Sequence, residues 1–185
     1  VKKIASTFIA KVATSAVNLL IVILLSQYLG ASGKGEASLL VTGITMVVLF
    51  CNMIGGASLV FLVPRFNVLQ LFIVSNLWSS VVCATAYFIL QMTGILPEYF
   101  VLHIILLSFI NSLLGTNLSI LLGKEKIFQN NVIMLLQSFI SLIIFYLLIK
   151  TSSEATISLY ISSLYAAMLV ALILTTVLSL PHLKR

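Results

Sequence analysis

Aspartate is absent from this sequence of 185 residues, and its only acidic residues are four glutamates. Charged residues of both signs make up 8% of the chain, against about 25% in an ordinary soluble domain. Cysteine occurs twice, proline three times and tryptophan once. Each scarcity excludes something. Glu36, Glu98, Glu125 and Glu154 all fall in predicted loops, so no carboxylate pair or Cys/His nucleophile arrangement assembles, and no enzyme is expected. The same lack disfavours a proton-coupled carrier, which needs an ionisable group inside the membrane. Cys51 and Cys83 lack metal-ligand spacing and read as small buried hydrophobes, with no disulfide framework to argue. Gly30-x-x-Gly33-x-Gly35 fails the spacing of a phosphate-binding loop, which disfavours an ATP-driven pump. No cofactor or metal is expected.

What is present is apolar: 61% of the residues are hydrophobic. A soluble domain so composed has too few polar groups to cover itself, whereas lipid tolerates such a surface. The charges divide the chain into six charge-free runs, 12–33, 37–64, 66–97, 99–123, 127–149 and 155–183. Each exceeds the roughly 20 residues a helix needs to cross hydrocarbon. No strict alternation of the kind a membrane strand needs is visible. In lipid the backbone must satisfy its own hydrogen bonds, so each run reads as a helix. The fold class is therefore all-α, a polytopic membrane protein with six transmembrane helices. The spans are predicted at about 4–29, 37–63, 68–92, 100–122, 131–149 and 156–180, forming one transmembrane domain over 1–185.

The punctuation supports these limits. Three glycines within Gly30–Gly35 predict a loop after the first helix. Pro64 ends the second helix, Gly94 and Pro97 mark the next turn, and Gly123-Lys124-Glu125-Lys126 follows the fourth. Thr151-Ser152-Ser153-Glu154 has the form of a capping box for the sixth helix, and Pro181 is expected to stop it. Lys2 and Lys3 look like the charged start of a signal peptide. The apolar stretch behind them continues to Gly30, too long for one, so it reads as a first span that stays.

The net charge of +6 does not point to nucleic acid. The basic residues sit singly or in pairs at helix ends, not on a patch interleaved with aromatics. They predict topology instead. With six spans, one side holds Lys2, Lys3, Arg65, Lys124, Lys126, Lys184 and Arg185, and the other holds Lys34 and Lys150. Seven against two places both termini in the cytoplasm.

Polar residues inside spans are costly there and often functional. Lys11 is the single charge within an apolar helix, about two turns into the first span. It either snorkels to the headgroups or faces a wet cavity. Thr7, Lys11, Thr14, Ser15 and Asn18 recur at helical spacing on one face. Ser108, Asn111, Ser112, Gly115, Thr116 and Ser119 form a similar face in the fourth span. Close helix packing explains its small residues, while Asn111 and Asn117 are harder to dismiss. Ser75, Asn76, Ser79, Ser80 and Cys83 lie along the third span beside Trp78, which faces lipid or lines a cavity. Asn52 with Gly55 and Gly56, and Gln137 with Ser138 and Ser141, read as packing contacts. His103 reads as structural.

The segment Leu24-Leu-Ser-Gln-Tyr-Leu-Gly-Ala-Ser-Gly-Lys-Gly-Glu36, followed by Leu39-Leu-Val, resembles the first-loop region of polysaccharide flippases of the Wzx type. These belong to the multidrug/oligosaccharidyl-lipid/polysaccharide exporter superfamily. Gly56-Ala-Ser-Leu-Val60 and then Val63-Pro-Arg-Phe66 are similar to that family as well. The resemblance is clear over about residues 4–70 and rests on hydropathy and loop lengths beyond them. It implies a MATE-like N-lobe bundle, one of two six-helix lobes working by alternating access in the bacterial inner membrane. The implied substrate is an undecaprenyl-pyrophosphate-linked oligosaccharide. Lys11 would contact its headgroup, Asn18 and Asn111 would hydrogen-bond sugar or phosphate, and Arg65 would guide it at the cytoplasmic mouth. The partners implied are the lipid bilayer, the lipid-linked oligosaccharide and a second lobe, with no nucleic acid. Alternatives are a drug or metabolite exporter of the same superfamily, a non-transporting scaffold or partner subunit, and a membrane-embedded transferase, which the missing acids disfavour.

Overall fold

A computed structural model of the chain describes residues 2–94, 96–152 and 155–183. Seven helices follow one another: α1 (Lys2–Tyr28), α2 (Gly30–Cys51), α3 (Gly56–Leu62), α4 (Val68–Thr93), α5 (Glu98–Gly123), α6 (Ile127–Thr151) and α7 (Ile157–Leu183). Among the described residues there is no strand. Six helical segments are long and apolar enough to cross a membrane, with α2 and α3 together making the second. The protein is thus an all-α, six-span, multi-pass membrane protein. Its exterior agrees: Phe8, Met46, Phe88 and Met92 are among many large apolar side chains left exposed, a surface that water would not tolerate over this extent.

The predicted loop at Gly30–Glu36 is a helix. Only Leu29 separates α1 from α2. Gly30 opens α2 at φ +69, a conformation glycine adopts without the penalty a Cβ brings. Gly33 completes the turn, since a Cβ there would lie 2.4 Å from that of Leu29. Glycine weakens a helix by about 1 kcal/mol relative to Ala, but an unpaired backbone near hydrocarbon costs several times that. The glycines therefore serve a one-residue turn rather than a flexible loop. Glu36 lies in α2 in consequence, and Glu98 opens α5, so neither is in the loop expected for it.

The predicted second helix is instead broken. Residues 52–55 are not helical, and Gly56 opens α3 at φ +59. Two further expectations are corrected at the ends. Pro181 lies inside the last turn of α7, where it removes a hydrogen bond without forcing the chain to stop. Thr151 is the last residue of α6, and its hydroxyl donates to the carbonyls of Leu147 and Leu148 at 3.0 and 3.2 Å. It does not cap α7; Glu154, the other half of that expected box, lies outside the described residues.

The residues fall into two compact units: Val1–Leu39 with Ile127–Ala171, and Leu40–Lys126 with Leu172–Arg185. In the first, α1 lies along α6. Val17, Ile21 and Leu25 recur every four residues and are buried, which is the stripe a helix presents to a neighbour. Phe145 of α6 is fully buried and meets the Tyr160 ring edge-on at 5.4 Å. In the second unit, α5 packs against α3 and α4. Leu59, Val63, Val68 and Ile120 form its apolar centre. Gly123 lets α5 approach α3 closely, since a Cβ there would stand 2.6 Å from that of Val63.

Candidate functional site

The polar stripe of α1 has two margins. Thr7 and Thr14 lie on the half-buried one. The Thr7 hydroxyl accepts from the Asn131 amide at 3.0 Å, and Thr14 donates to the Ala10 carbonyl at 2.9 Å. Lys11, Ser15 and Asn18 lie on the other margin and are exposed. Seven residues separate Lys11 from Asn18, two helical turns, so their side chains leave the same side of α1 about 10 Å apart along its axis. The buried stripe of Val17, Ile21 and Leu25 starts on a different side of the helix and drifts towards this one, so that Leu25, seven residues beyond Asn18, is buried. Among the described residues no carboxylate pairs with Lys11. An ammonium, a hydroxyl and a carboxamide therefore line a single strip that is exposed.

In the second unit most of the polar face of α5 is consumed by packing. Ser112 is hydrogen-bonded to Ser79 of α4 at 2.6 Å, and Thr116 to Ser75 at 3.1 Å. Ser108 donates to the Ile44 carbonyl at 3.4 Å. All five hydroxyl side chains are buried. Small hydroxyl residues allow the two backbones to approach, and each hydroxyl then finds its partner across the interface. Asn111 lies off this seam and is half-buried. Arg65 follows α3 and is exposed, with its guanidinium 3.9 Å from the centre of the Phe61 ring. That stacking fixes the charge at the helix end. Arg65 and Asn111 are not brought together. Arg65 belongs to the end of α5 marked by Gly123, and Asn111 lies twelve residues back, about 18 Å along the helix. Lys11 and Asn18, in the first unit, are the two candidates that share a strip.

Three contacts were not read from the sequence, although Asn117 and Trp78 were singled out there. Asn117 is a buried hub: its amide donates to Thr176 at 3.1 Å and to Thr175 at 3.5 Å, and its oxygen accepts from Ser179 at 3.4 Å. The spacing of Thr175 and Ser179, one turn apart on α7, was the available signal. Asn131 ties α6 to α1 from a position that read only as a helix start. The indole N–H of half-buried Trp78 donates to the Phe50 carbonyl at 3.1 Å, just before the break in the second span. The run Asn52-Met-Ile-Gly55-Gly56 held the signal for that break, but two glycines in an apolar helix are equally a packing motif. His103 meets the ring of Tyr99 edge-on at 4.5 Å.

Among the described residues no three His, Cys, Asp or Glu side chains are grouped to hold a metal ion. The α1 strip carries one cation flanked by hydrogen-bond donors and acceptors. No protein-family model matches the chain, and neither does any curated protein or solved structure.

Proposed function

We propose that this chain forms one lobe of an alternating-access carrier that moves a lipid-linked oligosaccharide across the bacterial inner membrane. Both termini lie in the cytoplasm in this reading, as the bias of Lys and Arg among the short connections requires. The observation that carries the proposal is the exposed strip of Lys11, Ser15 and Asn18 on a largely apolar helix. A polar strip within a span is stable only against protein or water, and an ammonium facing acyl chains at the bilayer centre costs about 2.5–3.5 kcal/mol on insertion scales. A water-filled cavity removes that cost and gives the cation a task.

The task follows from charge. A pyrophosphate linking lipid to sugar is the anionic part of such a substrate, and a fixed ammonium in a site of low dielectric attracts it far more strongly than in water. Asn18 offers an amide to sugar or phosphate oxygens two turns along the same strip. Arg65, held on Phe61, supplies positive charge at the cytoplasmic mouth. The lipid tails remain in the bilayer, so the lobe handles only the headgroup. The resemblance of residues 4–70 to Wzx-type flippases supports the same substrate class. The second lobe, which that resemblance implies, would close the cavity and supply the opposing wall.

Lys11→Ala is expected to lower export of the lipid-linked oligosaccharide at least tenfold in the host bacterium, with the protein present in the membrane at its normal level. Lys11→Arg, which keeps the charge, retains most of the export. Undiminished export by Lys11→Ala overturns the assignment.

A further inference from the structure

Two hydrogen-bonded turns meet at one end of the second unit. After α3, the N–H groups of Arg65 and Phe66 both donate to the Leu62 carbonyl, at 2.9 and 3.0 Å. After α5, the N–H of Glu125 donates to the Leu122 carbonyl and that of Lys126 to the Leu121 carbonyl, each at 2.9 Å. Glu125 takes φ +58 between the two lysines, the left-handed step that commonly ends a helix. The second and fourth spans finish here, at Leu62 and Gly123, so both turns lie at a membrane boundary. α3 and α5 pack against each other, and a Cβ on Gly123 would stand 2.6 Å from that of Val63. Arg65 lies two residues past this contact on one turn. Lys124 and Lys126 lie one and three residues past it on the other. Consecutive Cα atoms are about 3.8 Å apart, so three basic side chains leave the backbone within a few residue lengths of one point.

We propose that this end of the second unit binds the headgroup of an anionic phospholipid of the surrounding bilayer. Charge argues for it. Among the described residues of the second unit the carboxylates are Glu98 and Glu125. Glu98 opens α5 at its opposite end. Arg65, Lys124 and Lys126 against Glu125 alone leave two positive charges in excess at this end. The geometry of Arg65 suits a phosphate. Its guanidinium lies 3.9 Å from the centre of the Phe61 ring. A ring covering one face leaves the in-plane N–H edges open for paired hydrogen bonds to phosphate oxygens. Lys124 and Lys126 are half-buried, so their stems lie along protein while the ammonium groups reach outward. Phe61 and Phe66 are exposed on either side of Arg65 in the sequence. A phosphate ion in water gives these rings nothing to pack against, whereas a phospholipid lays its glycerol and first methylenes on them. Membrane topology asks only that basic residues gather on one side. It does not require that two separate connections bring theirs together. The inference is independent of the transport proposal, since its ligand is a bilayer lipid and Lys11 takes no part.

The test uses the purified full chain in detergent micelles doped with equal amounts of phosphatidylglycerol and phosphatidylcholine of the same acyl chains. The chain is freed from its micelle in a mass spectrometer and its lipid adducts are counted. Each positive charge near an anionic membrane surface contributes about a fivefold factor, so phosphatidylglycerol adducts are expected in at least about tenfold excess. Arg65→Gln combined with Lys124→Gln and Lys126→Gln lowers that excess at least fivefold. Lys34→Gln combined with Lys150→Gln, on the first unit, leaves it in place. Inorganic phosphate added in excess does not displace the lipid. Parity between the two lipids on the native chain overturns the proposal, as does an undiminished excess in the triple variant or an equal loss in the Lys34 and Lys150 control. Displacement by inorganic phosphate overturns it in favour of a free-phosphate site. A second measurement needs no variant: phosphatidylglycerol with a photoactivated crosslinker on its headgroup is expected to mark residues 61–67 or 121–126 of the native chain. Crosslinks confined to other segments overturn the proposal even where the triple variant fails to accumulate.

Discussion

The hydroxyl of Thr7 accepts a 3.0 Å hydrogen bond from the side-chain amide of Asn131, which lies 124 positions further along the chain. It joins α1 to α6 across the first unit, and it uses one residue of the polar strip for structure while Lys11, Ser15 and Asn18 remain bare. Interhelical hydrogen bonds of this kind in membranes contribute about 0.6 kcal/mol on average and up to about 1.7. Asn131→Leu and Thr7→Val are each expected to lower stability within that range. The double variant loses less than the sum of the two. Unfolding in mixed detergent micelles, read as a double-mutant cycle, measures the coupling; full additivity would show that the bond contributes nothing.

Asn117 is expected to be the most sensitive polar position in the second unit. Its side chain meets Thr175, Thr176 and Ser179, whose hydroxyls also donate to the Leu172 and Thr176 carbonyls, so Asn117→Leu removes the polar link between α5 and α7 and leaves each hydroxyl a partner on its own helix. Interhelical bonds of this kind contribute about 0.6 kcal/mol on average and up to about 1.7 each. Ser80→Ala is the control, because Ser80 bonds only to the Asn76 carbonyl one turn back and is exposed. Thermal unfolding in detergent should drop clearly for Asn117→Leu and stay unchanged for Ser80→Ala.

Two glycines in α-helices should respond to alanine in opposite ways. A Cβ at Gly123 would stand 2.6 Å from the Cβ of Val63 and 3.1 Å from the Val60 carbonyl, and that backbone group has no flexible end to yield. Overpacking of this kind costs about 1–3 kcal/mol. At Gly35 nothing lies within 4 Å, so alanine there should leave stability unchanged or raise it by up to about 1 kcal/mol through helix propensity. Melting temperatures of the two variants, measured side by side, check the contrast.

Gly56 opens α3 at φ +59, where L-residues other than Asn and Asp are uncommon. Gly56→Ala is expected to cost about 1–2 kcal/mol, and Gly56→Asn less. A larger loss in the alanine variant, seen in the same unfolding assay, supports the break as a built feature. Equal losses would assign the effect to crowding near Asn52 instead.

The membrane class and the number of spans were legible because they depend on run length and charge spacing, which burial in lipid imposes directly on composition. α4, α5 and α6 begin and end no more than four residues from their expected limits for that reason. Gly30–Glu36 was misread because glycine signals a turn without saying how many residues the turn takes. The chain needed only Leu29 and one positive φ. The break after Cys51 was hidden by the reverse ambiguity, since Asn52, Gly55 and Gly56 fit close packing as readily as a helix end. The strip on α1 was visible as a periodicity, but its division into a packed margin and a bare one depends on where α6 lies.

The central claim is that the bare margin of α1 faces water within the membrane. In a chain carrying Cys51→Ser and Cys83→Ser, a single cysteine is placed at position 18 or at position 19 and exposed to a charged, water-soluble maleimide in membrane vesicles of both orientations. Both positions are exposed in the structure, Leu19 on the neighbouring apolar side. The account predicts rapid labelling of Asn18→Cys from at least one side of the membrane and little labelling of Leu19→Cys. Equal reactivity at the two positions, or silence at both, would contradict it.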